Sequence, residues 1–130
     1  MKVLIVDGYN AIHKIPEIDA LSDDSLEAAR DAITAMAKEY QRRIGGISEV
    51  FVVFDGKDEY RGFSSDKPGQ IFSGTGQGDK KIIKLAQDKS EKFHVIVASD
   101  DNYVGNSSRA AGATVITISE FYSKASKVKR

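Results

Sequence analysis

A chain of 130 residues is an ordinary length for one domain, long enough to bury roughly two-thirds of the unfolded chain's surface. With 41% hydrophobic and 29% charged residues it is too apolar for intrinsic disorder, and the absence of cysteine excludes disulfide frameworks, thiol nucleophiles and cysteine zinc sites. Nineteen Lys plus Arg balance nineteen Asp plus Glu, so the net charge neither demands nor forbids a nucleic-acid partner.

Lys2 to Val6 opens the chain as a predicted strand, because successive apolar residues suit a strand buried on both faces. The run is too short for a signal-peptide core or a membrane span, so a cytoplasmic location without a membrane partner is expected. A helix is predicted from about Asp24 to Arg43, where Leu26, Ala29, Ile33, Met36, Tyr40 and Ile44 recur at steps of three or four. Asp24 with Glu27 resembles a capping box, and Arg42-Arg43 before Gly45-Gly46 gives a charged, glycine-terminated end. Val50 to Phe54 follows as a β-branched and aromatic strand. Gly56 to Gly69 reads as a mobile loop rich in Gly, Ser, Asp, Lys and Pro, and Gln70 to Ser73 as a short, weak strand.

A second helix is predicted from about Asp79 to Lys89, a strand from His94 to Ala98, and a third helix from about Asp101 to Ala111 before Gly112. Ala113 to Ile118 completes the strands, and a last helix runs from Ser119 into the tail. Alternating strands and helices imply one α/β domain over residues 1–130, with three α/β/α layers and a mainly parallel sheet of four or five strands. The expected strand order is 3-2-1-4-5, with Lys2 to Val6 central.

In open parallel sheets ligands bind beyond the carboxyl ends of the strands. Asp7 follows VLIV, Asp55 follows VFVVF, Asp100 and Asp101 follow VIVAS, and Asp79 follows the glycine-rich GTGQG. Carboxylates converging there make a site for a hard divalent cation, Mg²⁺ or Mn²⁺, which prefers oxygen and retains waters that a phosphate can replace. The expected ligands are Asp7, Asp79 and Asp100. Each residue also has a local use: Asp7-Gly8 and Asp55-Gly56 are turn formers, Asp79 or Asp100 can cap the helix that follows, and Asp101 can be its solvated first-turn carboxylate.

Asn10 either orients water or substrate or closes a local Asx turn. His13, read as a loop residue, and His94, at a strand start, are assigned surface or packing roles. GTGQG lacks the lysine-serine ending of a P-loop and the spacing of a dinucleotide fingerprint, so it reads as a flexible lip. Lys80, Lys81 and Lys84, Arg42-Arg43, and the tail residues Lys124, Lys127, Lys129 and Arg130 form basic clusters suited to phosphate. For Tyr9, stacking on a base and burial beneath the loop both stay open.

The runs VLIVDGYNAIH (3–13), LEAARDAI (26–33), VFVVFDG (50–56), GDKKIIKLA (78–86) and VIVASDD (95–101) resemble, in that order, the NYN domain and in particular its YacP-like branch. The resemblance implies a PIN-like nuclease that cleaves single-stranded RNA with aspartate-held divalent metal. It places the family's functional positions at Asp7, Asn10, Asp55, Asp79 and Asp100, and suggests a ribosome as a further candidate partner. Two positions depart from the pattern: Lys80 stands where many relatives carry an acid, and Asp101 where a basic residue is frequent.

Two other readings fit part of the chain. A receiver domain also opens on a strand ending in aspartate, but it requires paired acids after that strand, two further βα units before its phosphoacceptor and a lysine at the last strand's end. Here Gly8 follows Asp7, one predicted helix separates Asp7 from Asp55, and Ser119 follows Ile118. The second is a catalytically silent RNA- or ribosome-binding module on the same scaffold, which Lys80 favours and the retained carboxylates oppose.

Overall fold

The apolar first strand becomes the axis of the sheet. The computed structural model describes residues 1–56 and 67–126, and in it β1 (Lys2–Asp7) pairs in parallel with β2 (Ile47–Phe54) on one side and β4 (His94–Ala98) on the other. β3 (Gln70–Phe72) extends the sheet beyond β2, and β5 (Thr114–Ile116) extends it beyond β4, giving the order β3-β2-β1-β4-β5. All four pairings are parallel. The expected order and the central place of the first strand therefore hold, including the short strand that Gln70 opens.

Side-chain alternation along β1 splits the core in two, as the two-residue period of a strand requires. Leu4 and Val6 face one cluster, which they share with α1 (Gly8–Lys14), α2 (Pro16–Asp24), α3 (Leu26–Ile44) and α6 (Ile118–Ala125). Val3 and Ile5 face the other, shared with α4 (Gly78–Ser90) and α5 (Asn102–Ala110). Val3, Leu4, Ile5 and Val6 are all at 0% exposure, so each contributes the full ~1.5–3 kcal/mol of a buried aliphatic side chain.

Four local features differ from the sequence reading. Residues 8–24, including His13, are not loop but α1 and α2; Ala11, Ile12, Ile15 and Ile18 bury one continuous stripe across both. Ile15-Pro16 separates the two helices without interrupting the stripe, and proline is at home in a helix's first turn because no N–H is needed there. The cap of α3 is Ser25, whose Oγ accepts from the Ala28 N–H at 3.0 Å, rather than Asp24. Gln77, not Asp79, precedes the first residue of α4, and its side chain makes no capping bond. Asp101, not Asp100, caps α5 by accepting from the Val104 N–H at 2.9 Å. Most of the expected Gly56 to Gly69 loop, residues 57–66, lies outside the described residues.

Among the described residues no helix is long and apolar enough to cross a membrane.

Candidate active site

Asp7 is the last residue of β1, and α1 turns away immediately after it. That turn depends on Gly8: a Cβ there would stand 2.5 Å from two Phe54 ring carbons and 2.7 Å from the Val53 carbonyl oxygen. The β1 end is thereby packed directly on the β2 end. Asp55 leaves β2 beside it, and its Oδ1 accepts from the Gly76 N–H at 2.7 Å, tying the GTGQG segment to the strand end. Gly56 and Gly74 close the same segment with a two-bond antiparallel bridge. Gly78 then lets the first turn of α4 lie against Asp55, since a Cβ there would stand 3.0 Å from the Asp55 Cβ. Asp79 follows as an exposed residue of that turn.

The turn after β4 completes the group. The Ser99 hydroxyl donates to Asp7 Oδ2 at 2.8 Å and accepts from the Asp101 N–H at 3.0 Å. Asp7, Asp55, Asp79 and Asp101 consequently line one cleft of about 280 Å³, together with Tyr9, Asn10 and His13. The first turn of α4 and the cap of α5 both open into it, and the positive ends of these helix dipoles favour bound anions. A carboxylate floor beneath two helix N-termini suits a cation and a phosphate at once.

Electrostatics single out Asp7. Burial raises its carboxyl from 3.8 to about 6; the negative charges of Asp79, Asp101 and Asp55 push the same way, against the Ser99 hydrogen bond. Asp79 is also raised, first by burial and then by Asp101 and Asp55. Among the described residues no group of three or more His, Asp or Glu is drawn together into a set that could hold a metal ion as it stands. Mg²⁺ needs fewer: one or two carboxylates with substrate phosphates and water complete its shell.

Of the residues singled out in the sequence, the cleft gathers Asp7, Tyr9, Asn10, Asp55 and Asp79. Asp100 is not among its lining residues. Its Oδ1 accepts from the Ile118 N–H at 2.9 Å, and its own N–H donates to Asn10 Oδ1 at 2.8 Å. Asn10 thus ties α1 to the β4 turn. Tyr9 packs its ring on Phe54 at 5.1 Å, and its hydroxyl accepts from the buried Arg30 at 3.2 Å.

Lys80, Lys81 and Lys84 sit on α4 outside the lining, with Lys84 paired to Asp88 at 3.3 Å. Arg42 and Arg43 both bind Glu39, Lys124 binds Glu120, and Lys127, Lys129 and Arg130 lie outside the described residues. Sequence reasoning missed Ser99, set Asp101 aside as a first-turn residue and gave His13 only a surface role. The signal for Ser99 was a hydroxyl between the strand end and two aspartates in VIVASDD.

An all-parallel 3-2-1-4-5 sheet with acids at its carboxyl rim is the α/β arrangement that the sequence led us to expect. The chain belongs to the YacP-like NYN domain family, whose model matches residues 4–130. It is similar to the uncharacterized protein YacP of Bacillus subtilis (strain 168), at 36% identity over 91 residues covering 67% of this chain and 52% of that protein. The chain thus matches about half the length of that relative. Crystal structures of Rae1 (YacP) from Bacillus subtilis superpose on 96% of the chain at 30% identity. The W164L mutant gives a TM-score of 0.77 over 75% of its own length, and the other structure gives 0.76 over 74%.

Proposed function

We propose that this chain is a cytoplasmic metal-dependent endoribonuclease that hydrolyses single-stranded RNA at the Asp7 cleft, acting on RNA alone or on a ribosome. The observation that carries this reading is the convergence of Asp7, Asp55, Asp79 and Asp101 on one cleft, with Asp7 raised to about 6. Burial is the main cause of that shift, and the repulsion among the carboxylates that adds to it is relieved when a divalent cation binds among them.

The all-oxygen donor set fits Mg²⁺ or Mn²⁺, which Asp7 with Asp79 or Asp101 would hold together with water; once bound, such an ion would activate water and stabilise charge on the leaving oxygen. The remaining work falls to the chain's own groups. Ser99 orients the Asp7 carboxylate by donating to its Oδ2, and Asn10 fixes the β4 turn through the Asp100 N–H. Asp55, engaged with Gly76, holds the first turn of α4 beside the rim, where the positive end of that helix would favour a phosphate. Lys80, Lys81 and Lys84 would meet the RNA backbone farther from the reacting phosphate.

The lack of a preformed three-residue set among the described residues favours a second reading, a silent RNA-binding module. Mn²⁺ titration followed by electron paramagnetic resonance, run beside cleavage of labelled single-stranded RNA with and without ribosomes, separates the two. The nuclease reading expects Mn²⁺ binding that Asp79→Asn weakens, and cleavage that a chelator stops and Mg²⁺ restores. RNA binding with neither Mn²⁺ binding nor cleavage would establish the silent module.

A further inference from the structure

Across the β4 turn from the acidic cleft lies a second cavity of about 230 Å³. Ser99 and Asp101 line both, so the two sites adjoin. Val115 gives the second an apolar wall, Arg109 and Asp100 give it opposite charges, and Gly105 keeps it open. A Cβ at Gly105 would stand 3.6 Å from Val115 Cγ1 and 3.7 Å from Arg109 Nη1, so any longer side chain would enter the space.

Among the described residues, Arg109 is the sole Lys or Arg lining either cavity. Its guanidinium donates to Asn106 Oδ1 at 3.2 Å and, among the described residues, makes no ion pair, which leaves most of its five donors for a ligand. Asp100 uses Oδ1 on the Ile118 N–H, leaving Oδ2 as an acceptor. The volume falls below the roughly 300–1,000 Å³ of pockets for drug-sized ligands, so it suits a single planar ring system.

We infer that this cavity is a nucleobase subsite: it receives the base next to the phosphate held at the Asp7 cleft, and it selects guanine. The inference rests on the ribonuclease reading for the position of the phosphate. Single-stranded RNA is recognised through splayed bases that stack on apolar or guanidinium surfaces and present their edges to side chains. Guanine offers two neighbouring N–H donors on its Watson–Crick edge, which match an acceptor-only carboxylate such as Asp100, and O6 and N7 acceptors, which match Arg109. Uracil offers one N–H flanked by carbonyl oxygens that a carboxylate repels.

The test is a titration of ¹⁵N-labelled protein, in chelator, with guanosine 5′-monophosphate or uridine 5′-monophosphate. Guanosine monophosphate is expected to shift the amides of Gly105, Val115 and Thr117 at concentrations about tenfold lower than uridine monophosphate, as one well-placed hydrogen-bonded pair implies. Arg109→Ala, at an exposed residue, and Gly105→Leu, which fills the cavity, should each abolish those shifts while melting like folded protein. Asp7→Asn should keep them.

Equal responses to the two nucleotides, no shifts at millimolar concentration, or shifts that survive both cavity variants would overturn the subsite. Because the readout needs no cleavage, its failure is separable from failure of the nuclease reading: wild-type cleavage by Asp7→Asn would remove the assigned phosphate position, while the nucleotide shifts alone decide whether the cavity binds guanine.

Discussion

Val6 and Asp7 are neighbours on one strand with opposite energetic roles. Val3 to Val6 are wholly buried and stabilise the sheet from both faces, whereas Asp7, one peptide further, is a carboxyl raised to about 6 by burial and three acidic neighbours. A raised carboxyl is an unfavourable charge at neutral pH. The strand therefore spends at its end part of the stability its interior supplies, and a ligand that binds the charges regains it.

The interior side of that comparison should show the largest effect. Phe54 is fully buried beneath the rim, with Tyr9 at 5.1 Å and Phe72 at 5.5 Å, so Phe54→Ala should cost about 3–5 kcal/mol in urea unfolding. A loss below about 1 kcal/mol would show that the rim does not rest on that ring.

The rim side is a dependence on pH. A carboxyl that moves from 3.8 unfolded to about 6 folded binds its proton more tightly in the native state, so its contribution is fully present below 3.8 and is lost as pH rises through 6. The loss corresponds to about 3 kcal/mol by neutral pH. Unfolding measured at intervals from pH 4 to 7 should therefore give a stability for wild type relative to Asp7→Asn that declines over that window. A flat difference would mean that Asp7 carries no such burden.

Gly8 joins the two regions, since its missing side chain is what brings the β1 end onto Phe54 and the Val53 carbonyl. Gly8→Ala should lower stability by about 1–3 kcal/mol in chemical denaturation, because backbone cannot give way as a flexible side chain can. At the small end, Gly105→Ala should raise stability by about 0.5–1 kcal/mol, read as a higher melting temperature. Its Cβ would meet only ordinary contacts, at 3.6 and 3.7 Å, and alanine is the better helix former. A fall instead would mean that the cavity beside Val115 tolerates no filling.

The sheet was legible because burial on both faces leaves a mark in sequence: VLIV, VFVVF and VIVA are apolar without alternation, and each ends at an acid or a serine. Even Gln70 to Phe72, three residues long, was visible between its glycines. The helices before Ser25 were not, because Asp7-Gly8, Tyr9-Asn10 and Ile15-Pro16 look like turns locally and become helical by packing Ala11, Ile12 and Ile18 on the core.

The site was legible to about one residue. Asp7, Asp55 and Asp79 could be read from their places after a strand or before a helix, but the choice between Asp100 and Asp101 depends on how the backbone turns after Ala98. Two hydrogen bonds fix that turn, Asp100 N–H to Asn10 and Asp101 N–H to Ser99, and neither leaves a local pattern in the sequence.

The most direct test is Asp7→Asn, measured for cleavage of labelled single-stranded RNA in Mg²⁺ or Mn²⁺, with ribosomes absent and present, beside thermal melts without metal. Asparagine keeps the volume and can still accept from Ser99, but it removes the charge that Asp79, Asp101 and Asp55 oppose. The account predicts that cleavage is abolished while the metal-free variant melts at or above the wild-type temperature. Cleavage at the wild-type rate by a folded Asp7→Asn protein would contradict it.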